Sequence, residues 1–143
     1  MKRIAALILA AVVACLCLVS CGGTDVVGKW ELEEMTSGGM TLKDNLMGVP
    51  VAIMFQFEFK DDGTCYMMQN NGSSSDTQKK DLKWEKDGDK VKVTASDESG
   101  EMVFEPDGDL LVCTMKEGGK DATIKIKKVS SFTEFDMSDI VGN

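Results

Sequence analysis

Short runs of alternating apolar and polar residues, separated by pairs that contain glycine, dominate the chain beyond Val26. Such alternation is typical of β-strands, and a glycine beside an aspartate or a second glycine supplies the positive φ that tight hairpin turns need. Four pairs of this kind stand at Asp62-Gly63, Asp87-Gly88, Asp107-Gly108 and Gly118-Gly119. The pattern predicts an all-β domain built from antiparallel hairpins in up-and-down order.

Eight strands are predicted around these turns. They cover residues 26–35, 52–60, 64–70, 79–86, 89–96, 101–105, 109–116 and 121–129. An eight-stranded meander removes its exposed edges by closing into a barrel, whose interior is filled by side chains or holds one small ligand. Closure sets the first strand beside the eighth. The main alternative is a two-sheet sandwich of the same hairpins with a solidly packed interior.

Two of the turns also predict a strand register. A two-residue loop at Asp87-Gly88 sets Trp84 against Val91. At Asp61–Gly63 and at Pro106–Gly108, a two-residue loop and a longer loop with a glycine bulge both fit. A two-residue loop at Gly118-Gly119 pairs Met115 with Ala122, Cys113 with Ile124 and Leu111 with Ile126. These pairs form one apolar face, which we expect to be the interior.

Two short helices are predicted at the edges of the sheet. The first covers residues 41–47 and ends at Gly48. The second covers residues 132–141, where Ser131 and Glu134 have the spacing of a capping box. We expect the second helix to dock on the sheet, because an isolated helix of about ten residues is marginal in water.

The first strand opens with a short motif. Gly28-Lys29-Trp30 resembles the Gly-x-Trp signature of lipocalins, in which the tryptophan closes one end of the barrel. The strand count resembles that of lipocalin-like domains in many bacterial lipoproteins, over most of residues 26–129. The resemblance implies that Gly28 and Trp30 close the barrel, that residues 36–51 form a lid, and that Lys125 or Lys127 replaces the arginine that lipocalins pack over the tryptophan. The Thr-Asp-Tyr motif of lipocalins is missing.

The start of the chain has the features of a secretory signal. Lys2 and Arg3 precede an apolar segment of 16 residues, Ile4 to Val19. That segment is too short to cross a bilayer, which takes about 20 residues. Leu18-Val19-Ser20-Cys21 resembles the lipobox of bacterial lipoproteins, whose cysteine thiol is acylated, for example with palmitate, after the signal peptide is removed.

This resemblance divides the chain into three segments. Residues 1–20 are the signal peptide, residues 21–25 are the lipidated cysteine and a short tether, and residues 26–143 are the barrel domain. The implied location is the outer, extracytoplasmic side of a cell membrane, within the cell envelope. At about 3.5 Å per extended residue the tether reaches on the order of 15 Å, so the domain is expected to lie close to the bilayer.

Charge and composition exclude several functions. The precursor has 24 acidic residues, 16 basic residues and no histidine, and loss of Lys2 and Arg3 leaves a mature net charge of −10. An acidic surface without arginine is a poor match to phosphate backbones, so a nucleic-acid partner is not expected. General acid-base catalysis lacks its usual group, and we predict that the protein is not an enzyme.

No metal or other cofactor is predicted. The acidic runs that begin at Asp87 and Asp107 lack the spacing of an EF-hand loop, which argues against calcium. Zinc would find no histidine and only scattered cysteines. The methionines are spread along the chain without a repeat, which argues against a copper site. Cys65 and Cys113 fall in the third and seventh predicted strands, nearly opposite each other in the barrel. A disulfide needs Cα atoms within about 7 Å, so two free, buried thiols are favoured over a disulfide.

Aromatic, aliphatic and sulfur-containing side chains on the predicted inner face are the candidates for an adaptable apolar pocket, with an ordinary packed core as the alternative. They are Phe55, Phe57, Phe59, Met67, Trp84, Leu111, Cys113 and Met115.

Two functional hypotheses follow. The first is a membrane-anchored module that binds a small apolar ligand near the bilayer. The second is a filled barrel that interacts with, or modulates, another envelope protein.

Overall fold

A computed structural model describes residues 25–70, 77–97, 100–136 and Ser138. The predicted signal peptide, Cys21 and the tether up to Thr24 lie outside these residues. The described ranges contain eleven β-strands and a 3-10 helix, Val51–Ile53. The strands are β1 (Gly28–Ser37), β2 (Met40–Lys43), β3 (Asn45–Leu46), β4 (Val49–Pro50), β5 (Phe55–Phe59), β6 (Thr64–Asn70), β7 (Thr77–Asp87), β8 (Lys90–Ala95), β9 (Glu101–Asp107), β10 (Leu110–Glu117) and β11 (Lys120–Val129).

Eight of these strands, β1 and β5 to β11, form a closed antiparallel barrel. Each of them pairs with its neighbour along the chain, and β1 closes the ring against β11 from Lys29 opposite Val129 to Ser37 opposite Ala122. On its other side β1 pairs with β5. The predicted barrel and its closure are therefore confirmed, and the sandwich alternative is wrong.

A β-bulge in β1 adapts this strand to the closure. The register against β11 shifts between Leu32 and Glu34, so that Glu33 is the extra residue. Because the bulge adds one residue, both Leu32 and Met35 pair with interior positions of β11 while Glu33 and Glu34 lie side by side on the outside. The bulge thus keeps the apolar alternation facing inward along the whole of β1.

The turn between β7 and β8 has the predicted length but a different position. The two-residue loop is Gly88-Asp89 rather than Asp87-Gly88, and Trp84 therefore lies opposite Val93 rather than Val91. The glycine takes a φ of 64° at the first central position, the place that a type II′ turn reserves for glycine. Because the pairing moves by two residues, every side chain stays on its predicted face of the sheet.

The remaining turns settle the open alternatives. The three pairs predicted for β10 and β11 are all observed. Asp61–Gly63 is a three-residue loop, in which the amide of Gly63 donates to the carbonyl of Lys60 at 3.2 Å. Asp107 pairs with Leu110, so the turn between β9 and β10 is a two-residue loop.

The helix predicted at residues 41–47 is wrong. Met40–Lys43 forms β2, which turns back from β1 at Gly38-Gly39 and pairs with its last four residues. Asn45–Leu46 then pairs with Val49–Pro50 in a second, short hairpin. A helix of two turns offers few hydrogen bonds of its own, whereas β1 offers a ready edge for pairing beyond β5.

The C-terminal helix predicted at residues 132–141 is also wrong over residues 132–136. Residues 132–136 are irregular, Ser138 is helical, and residues 137 and 139–141 lie outside the described ranges. The irregular segment lies against the outside of the barrel, where Thr133 makes hydrogen bonds with Glu31 and Gln56. These contacts replace the capping box that the sequence suggested.

The barrel has two ends, which we call the floor and the mouth. The floor holds Trp30, where β1 begins, and the turns at residues 61–63, 88–89 and 108–109. The mouth holds the connection 38–54 and the turn at 118–119. Between them the interior is packed with fully buried side chains, including Trp30, Leu32, Phe57, Phe59, Val91, Phe104, Leu111 and Ile126.

Aromatic rings organise the floor half of this core. The ring of Phe57 meets that of Phe104 edge to face with centroids 5.6 Å apart, and Phe59 meets Trp84 in the same way at 5.7 Å. Phe57 and Phe59 stack at 6.2 Å. Edge-to-face and offset arrangements of this kind are the favourable ones for aromatic pairs, so the floor half of the interior is a well-packed core.

Candidate functional site

An apolar cavity of about 370 Å³, which we call the mouth pocket, opens at the mouth of the barrel. It lies between the β3–β4 hairpin, the 3-10 helix, the start of β5 and the end of β6. Six of its lining side chains are apolar and two carry amides. They are Leu46, Met47, Val49, Ile53, Met54, Phe55, Gln69 and Asn70.

The connection between β1 and β5 folds over this pocket as the predicted lid. Val51 is buried against the core, and its amide donates to the carbonyl of Asp44 at 3.0 Å. The amide of Met54 donates to the carbonyl of Val51 at 3.0 Å, and the amide of Asn70 donates to the carbonyl of Met54 at 3.2 Å. The first of these bonds closes the base of the β3–β4 hairpin, and the last joins Met54, which follows the 3-10 helix, to the end of β6.

Met47 stands at the rim of the pocket in a strained conformation. Its φ is 53° and its side chain is 90% exposed although it lines an apolar cavity. An L-residue without a small polar side chain rarely adopts a left-handed conformation, which costs about 1–2 kcal/mol. The hairpin therefore holds a flexible thioether at the pocket entrance at some expense in stability.

Methionines also concentrate around the inner side of the mouth. Met35, Met54, Met102 and Met115 are half-buried and pack against the core. Met35, Met102 and Met115 lie near the mouth ends of β1, β9 and β10, respectively. Because methionine is unbranched and polarisable, it adapts to irregular apolar partners. The methionines at the mouth can therefore adapt to an apolar partner more readily than the aromatic rings of the floor half.

Of the eight side chains predicted as ligand contacts, Phe55 lines the mouth pocket. Phe57, Phe59, Leu111 and Cys113 are fully buried in the core, and Met67 is nearly so. Trp84 and Met115 are half-buried and pack against that core. All eight lie on the predicted inner face of the sheet. The mouth pocket reaches that face only at the mouth end of the barrel, where Phe55 lies.

Sequence reasoning missed the rest of the pocket lining. Leu46 falls in the predicted helix 41–47, Val49 in the connection after it, and Ile53 in the predicted strand 52–60. The available signal was the unusual apolar content of residues 46–54, because the connections between strands are ordinarily polar. A cluster of apolar residues in such a place indicates a segment that covers something apolar.

The floor is closed by a second group of residues. The indole of Trp30 is completely buried and donates to the carbonyl of Val26 at 2.8 Å. The ammonium of Lys128 lies 6.0 Å from the centroid of that indole and donates to the carbonyl of Asp25 at 2.9 Å. Gly28 has a φ of 136°, and a Cβ at this position would lie 2.9 Å from Cε of Lys128. Gly28 and Trp30 thus lie at the floor, where the start of β1 pairs with β5 and the start of β1 from Lys29 pairs with the end of β11.

The lysine over Trp30 is Lys128, and the expectation of Lys125 or Lys127 is wrong. Lys128 pairs with Trp30 across the strands, whereas odd-numbered residues at this end of β11 point outward. Lys125 and Lys127 instead make ion pairs with Glu34 and Glu33 on the outside of the barrel, at 3.0 and 2.8 Å.

The two cysteines of the barrel are free and buried, as predicted. Burial is the main cause that raises the pKa of the Cys65 thiol to about 12, with a smaller contribution from the charge of Glu58. Burial also raises the pKa of Cys113. Both groups are therefore protonated thiols at neutral pH and are unsuited to nucleophilic or metal-binding roles, which require the thiolate.

Within residues 25–70, 77–97 and 100–136, no three acidic or cysteine side chains come close enough together to hold a metal ion. Over the same described part of the chain, no helix has the length and apolarity needed to span a bilayer.

Comparison with known families agrees with this geometry. Residues 26–133 match the family of lipocalin-like domains. The chain therefore belongs to that family. Its members generally have a binding fold without enzymatic activity. No curated protein and no solved structure gives a significant match to the chain.

Proposed function

We propose that this protein is a lipid-anchored binding module that holds a small apolar molecule in the mouth pocket. The observation that carries the proposal is an apolar cavity of about 370 Å³ beside the β3–β4 hairpin, at the mouth of a lipocalin-like barrel. Anchoring is supported by Cys21 at the end of a lipobox. The protein would then act on the extracytoplasmic side of a membrane.

Pocket size and lining define the class of ligand. Small-molecule sites range over roughly 300–1,000 Å³, so this pocket belongs to the small end of the range. Its apolar walls provide the affinity, while the amide of Gln69 at its edge suits a ligand with one polar group. Below the pocket the packed rings of Phe57 and Phe104 limit how deeply a ligand can enter.

The test uses a neutral apolar fluorophore, N-phenyl-1-naphthylamine, titrated into the barrel domain and its variants. Met47→Asn makes the rim polar and suits the left-handed backbone, because asparagine tolerates a positive φ. Loss of a contact equivalent to one or two methylenes, at about 0.8 kcal/mol each, predicts binding about four- to fifteenfold weaker. Thermal stability should stay the same or rise.

Met40→Gln is the matched control. Met40 is 71% exposed on the same connection and does not line the mouth pocket. We expect this variant to bind the fluorophore like the parent protein. Equal affinities for the parent and Met47→Asn, or equal losses in the two variants, would show that the fluorophore binds elsewhere and would count against the proposal.

A second candidate function is docking of another envelope protein, with the barrel interior serving only as core. It is favoured by large apolar side chains exposed on the lid, since Met40, Leu46 and Met47 are 71%, 40% and 90% exposed. With a mature charge of −10, a partner with a basic surface and salt-sensitive association are expected. Crosslinking on intact cells tests this, and capture of only nonspecific neighbours at low salt would remove its support.

A further inference from the structure

The described chain enters the barrel at its floor. Asp25 is held there by the ammonium of Lys128, which donates to its carbonyl at 2.9 Å and lies 3.4 Å from its carboxylate. Three residues later β1 begins at Gly28 and runs toward the mouth, where it ends at Ser37. The mouth pocket therefore lies at the opposite end of the barrel from the point where the chain arrives.

The separation between floor and mouth exceeds the reach of the tether. From Ala122 near the mouth to Lys128 at the floor, β11 extends over six residues. At about 3.3 Å per residue and a tilt of about 40°, this rise amounts to roughly 15 Å along the barrel axis, and the lid adds about 5 Å. The segment between Cys21 and Asp25 spans at most about 15 Å. Part of that length is used within the headgroup layer, which is about 5–7 Å thick on each side of a bilayer.

We propose that the lipid anchor holds the barrel with its floor toward the membrane and its mouth pocket facing the aqueous compartment. The apolar molecule then enters from the aqueous side rather than directly from the anchoring bilayer. This inference rests on the proposed anchoring at Cys21 and the proposed binding at the mouth pocket.

The alternative orientation is disfavoured on two grounds. If the apolar side chains of Met40, Leu46 and Met47 touched the headgroups, the floor would stand about 20 Å above the membrane, beyond the reach of the tether. A barrel lying on its side would press an acidic surface against the membrane, and a mature charge of −10 is repelled by anionic lipid. The upright arrangement satisfies both constraints.

The experiment measures which end of the barrel lies near the lipid. Acylated protein is purified from membranes with a single fluorophore on Asp109→Cys at the floor or on Met40→Cys at the mouth, both exposed positions. Cys65 and Cys113 are buried and resist labelling of the native protein. Each sample is reconstituted into phosphatidylcholine vesicles that carry nitroxide-labelled headgroups, which quench only nearby fluorophores.

We expect the floor label to be quenched at least threefold more than the mouth label in protein that floats with the vesicles. Equal quenching, or stronger quenching at the mouth, overturns the proposed orientation. If the acylated protein fails to float with vesicles, the anchoring itself is refuted and the orientation falls with it. These two failures are distinguishable because flotation is scored before quenching, while fluorophore binding by the domain in solution tests the pocket independently.

Discussion

At the scale of single residues, the floor shows how one side chain can decide closure. Trp30 lies between Lys128 on β11 and Phe57 on β5, so its indole joins the two strands that flank β1. It is completely buried, and its polar N–H is satisfied by the carbonyl of Val26. The tryptophan therefore contributes a large apolar area without leaving a buried donor unpaired.

We predict that Trp30→Ala destabilises the domain by about 3–5 kcal/mol, because it leaves a large cavity in the floor. Val27→Ala, at a neighbouring position that is 38% exposed, should change stability by less than about 0.5 kcal/mol. Urea unfolding of the two variants measures the difference. Similar small losses of unfolding free energy in both variants would mean that Trp30 does not stabilise the closure of the barrel.

A second prediction at this scale concerns pH. The pKa of Cys65 is raised to about 12 in the folded protein, whereas an unfolded cysteine ionises near pH 9. Above about pH 9 the unfolded chain loses this proton and the folded protein keeps it, so the free energy of unfolding falls as pH rises. The stability that this group contributes is complete below pH 9 and is lost progressively toward pH 12, by about 1 kcal/mol at pH 10.

Comparison of the parent protein with Cys65→Ala isolates this effect from every other contribution to the pH dependence of stability. The decline in unfolding free energy between pH 8 and pH 10 should be shallower in the variant by about 1 kcal/mol. Parallel declines would show that ionisation of the Cys65 thiol does not differ between the folded and unfolded states.

At the scale of elements, the C-terminal segment depends on a buried carboxylate of β1. Glu31 is almost fully buried and accepts hydrogen bonds from the amide of Thr133 at 3.0 Å and from its hydroxyl at 2.9 Å. The amide of Gln56 donates to the carbonyl of Thr133 at 3.1 Å. Three hydrogen bonds thus fasten an irregular segment to the outside of β1 and β5.

Thr133→Val should loosen this segment, because it removes the hydroxyl and leaves an oxygen of Glu31 without that partner. The expected cost is about 1–3 kcal/mol, typical of a hydrogen bond to a buried charged group. Amide exchange at residues 131–136 should accelerate while exchange in β10 stays slow. Glu33→Gln, which breaks a partly exposed ion pair with Lys127, is the control and should cost no more than about 1 kcal/mol. Unchanged exchange in Thr133→Val would refute the role of this contact.

At the scale of the whole molecule, the proposed anchor and the barrel are separate units. Cys21 lies four residues before Asp25, the first residue that the structure describes. A change at Cys21 should therefore alter where the protein resides without altering the fold or the mouth pocket.

We predict that Cys21→Ser abolishes incorporation of labelled palmitate and moves the protein out of the membrane fraction, while the purified domain binds N-phenyl-1-naphthylamine unchanged. Cys17→Ser, inside the proposed signal peptide, is the matched control and should be acylated normally. Persistent acylation of Cys21→Ser would contradict the proposed anchor.

Much of this architecture follows from local sequence. Alternation with period two and the turn glycines predicted eight strands and the inner face, because both signals depend only on neighbouring residues. The observed β7–β8 pairing differs from the predicted one by two residues, yet Trp84 still lies on the predicted inner face. The interior pairing of β10 with β11 followed in the same way from Gly118-Gly119.

Only the tertiary structure decided the rest. Residues 41–43 form a strand because the barrel leaves the edge of β1 beyond β5 free for pairing. Residues 132–136 stay irregular because Glu31 holds Thr133 on the outside of the barrel. Likewise Lys128 covers Trp30 because barrel closure brings β11 against β1. Whether an inward side chain becomes core or pocket depends on the lid that covers it, and that packing is non-local information that residue types and spacing do not carry.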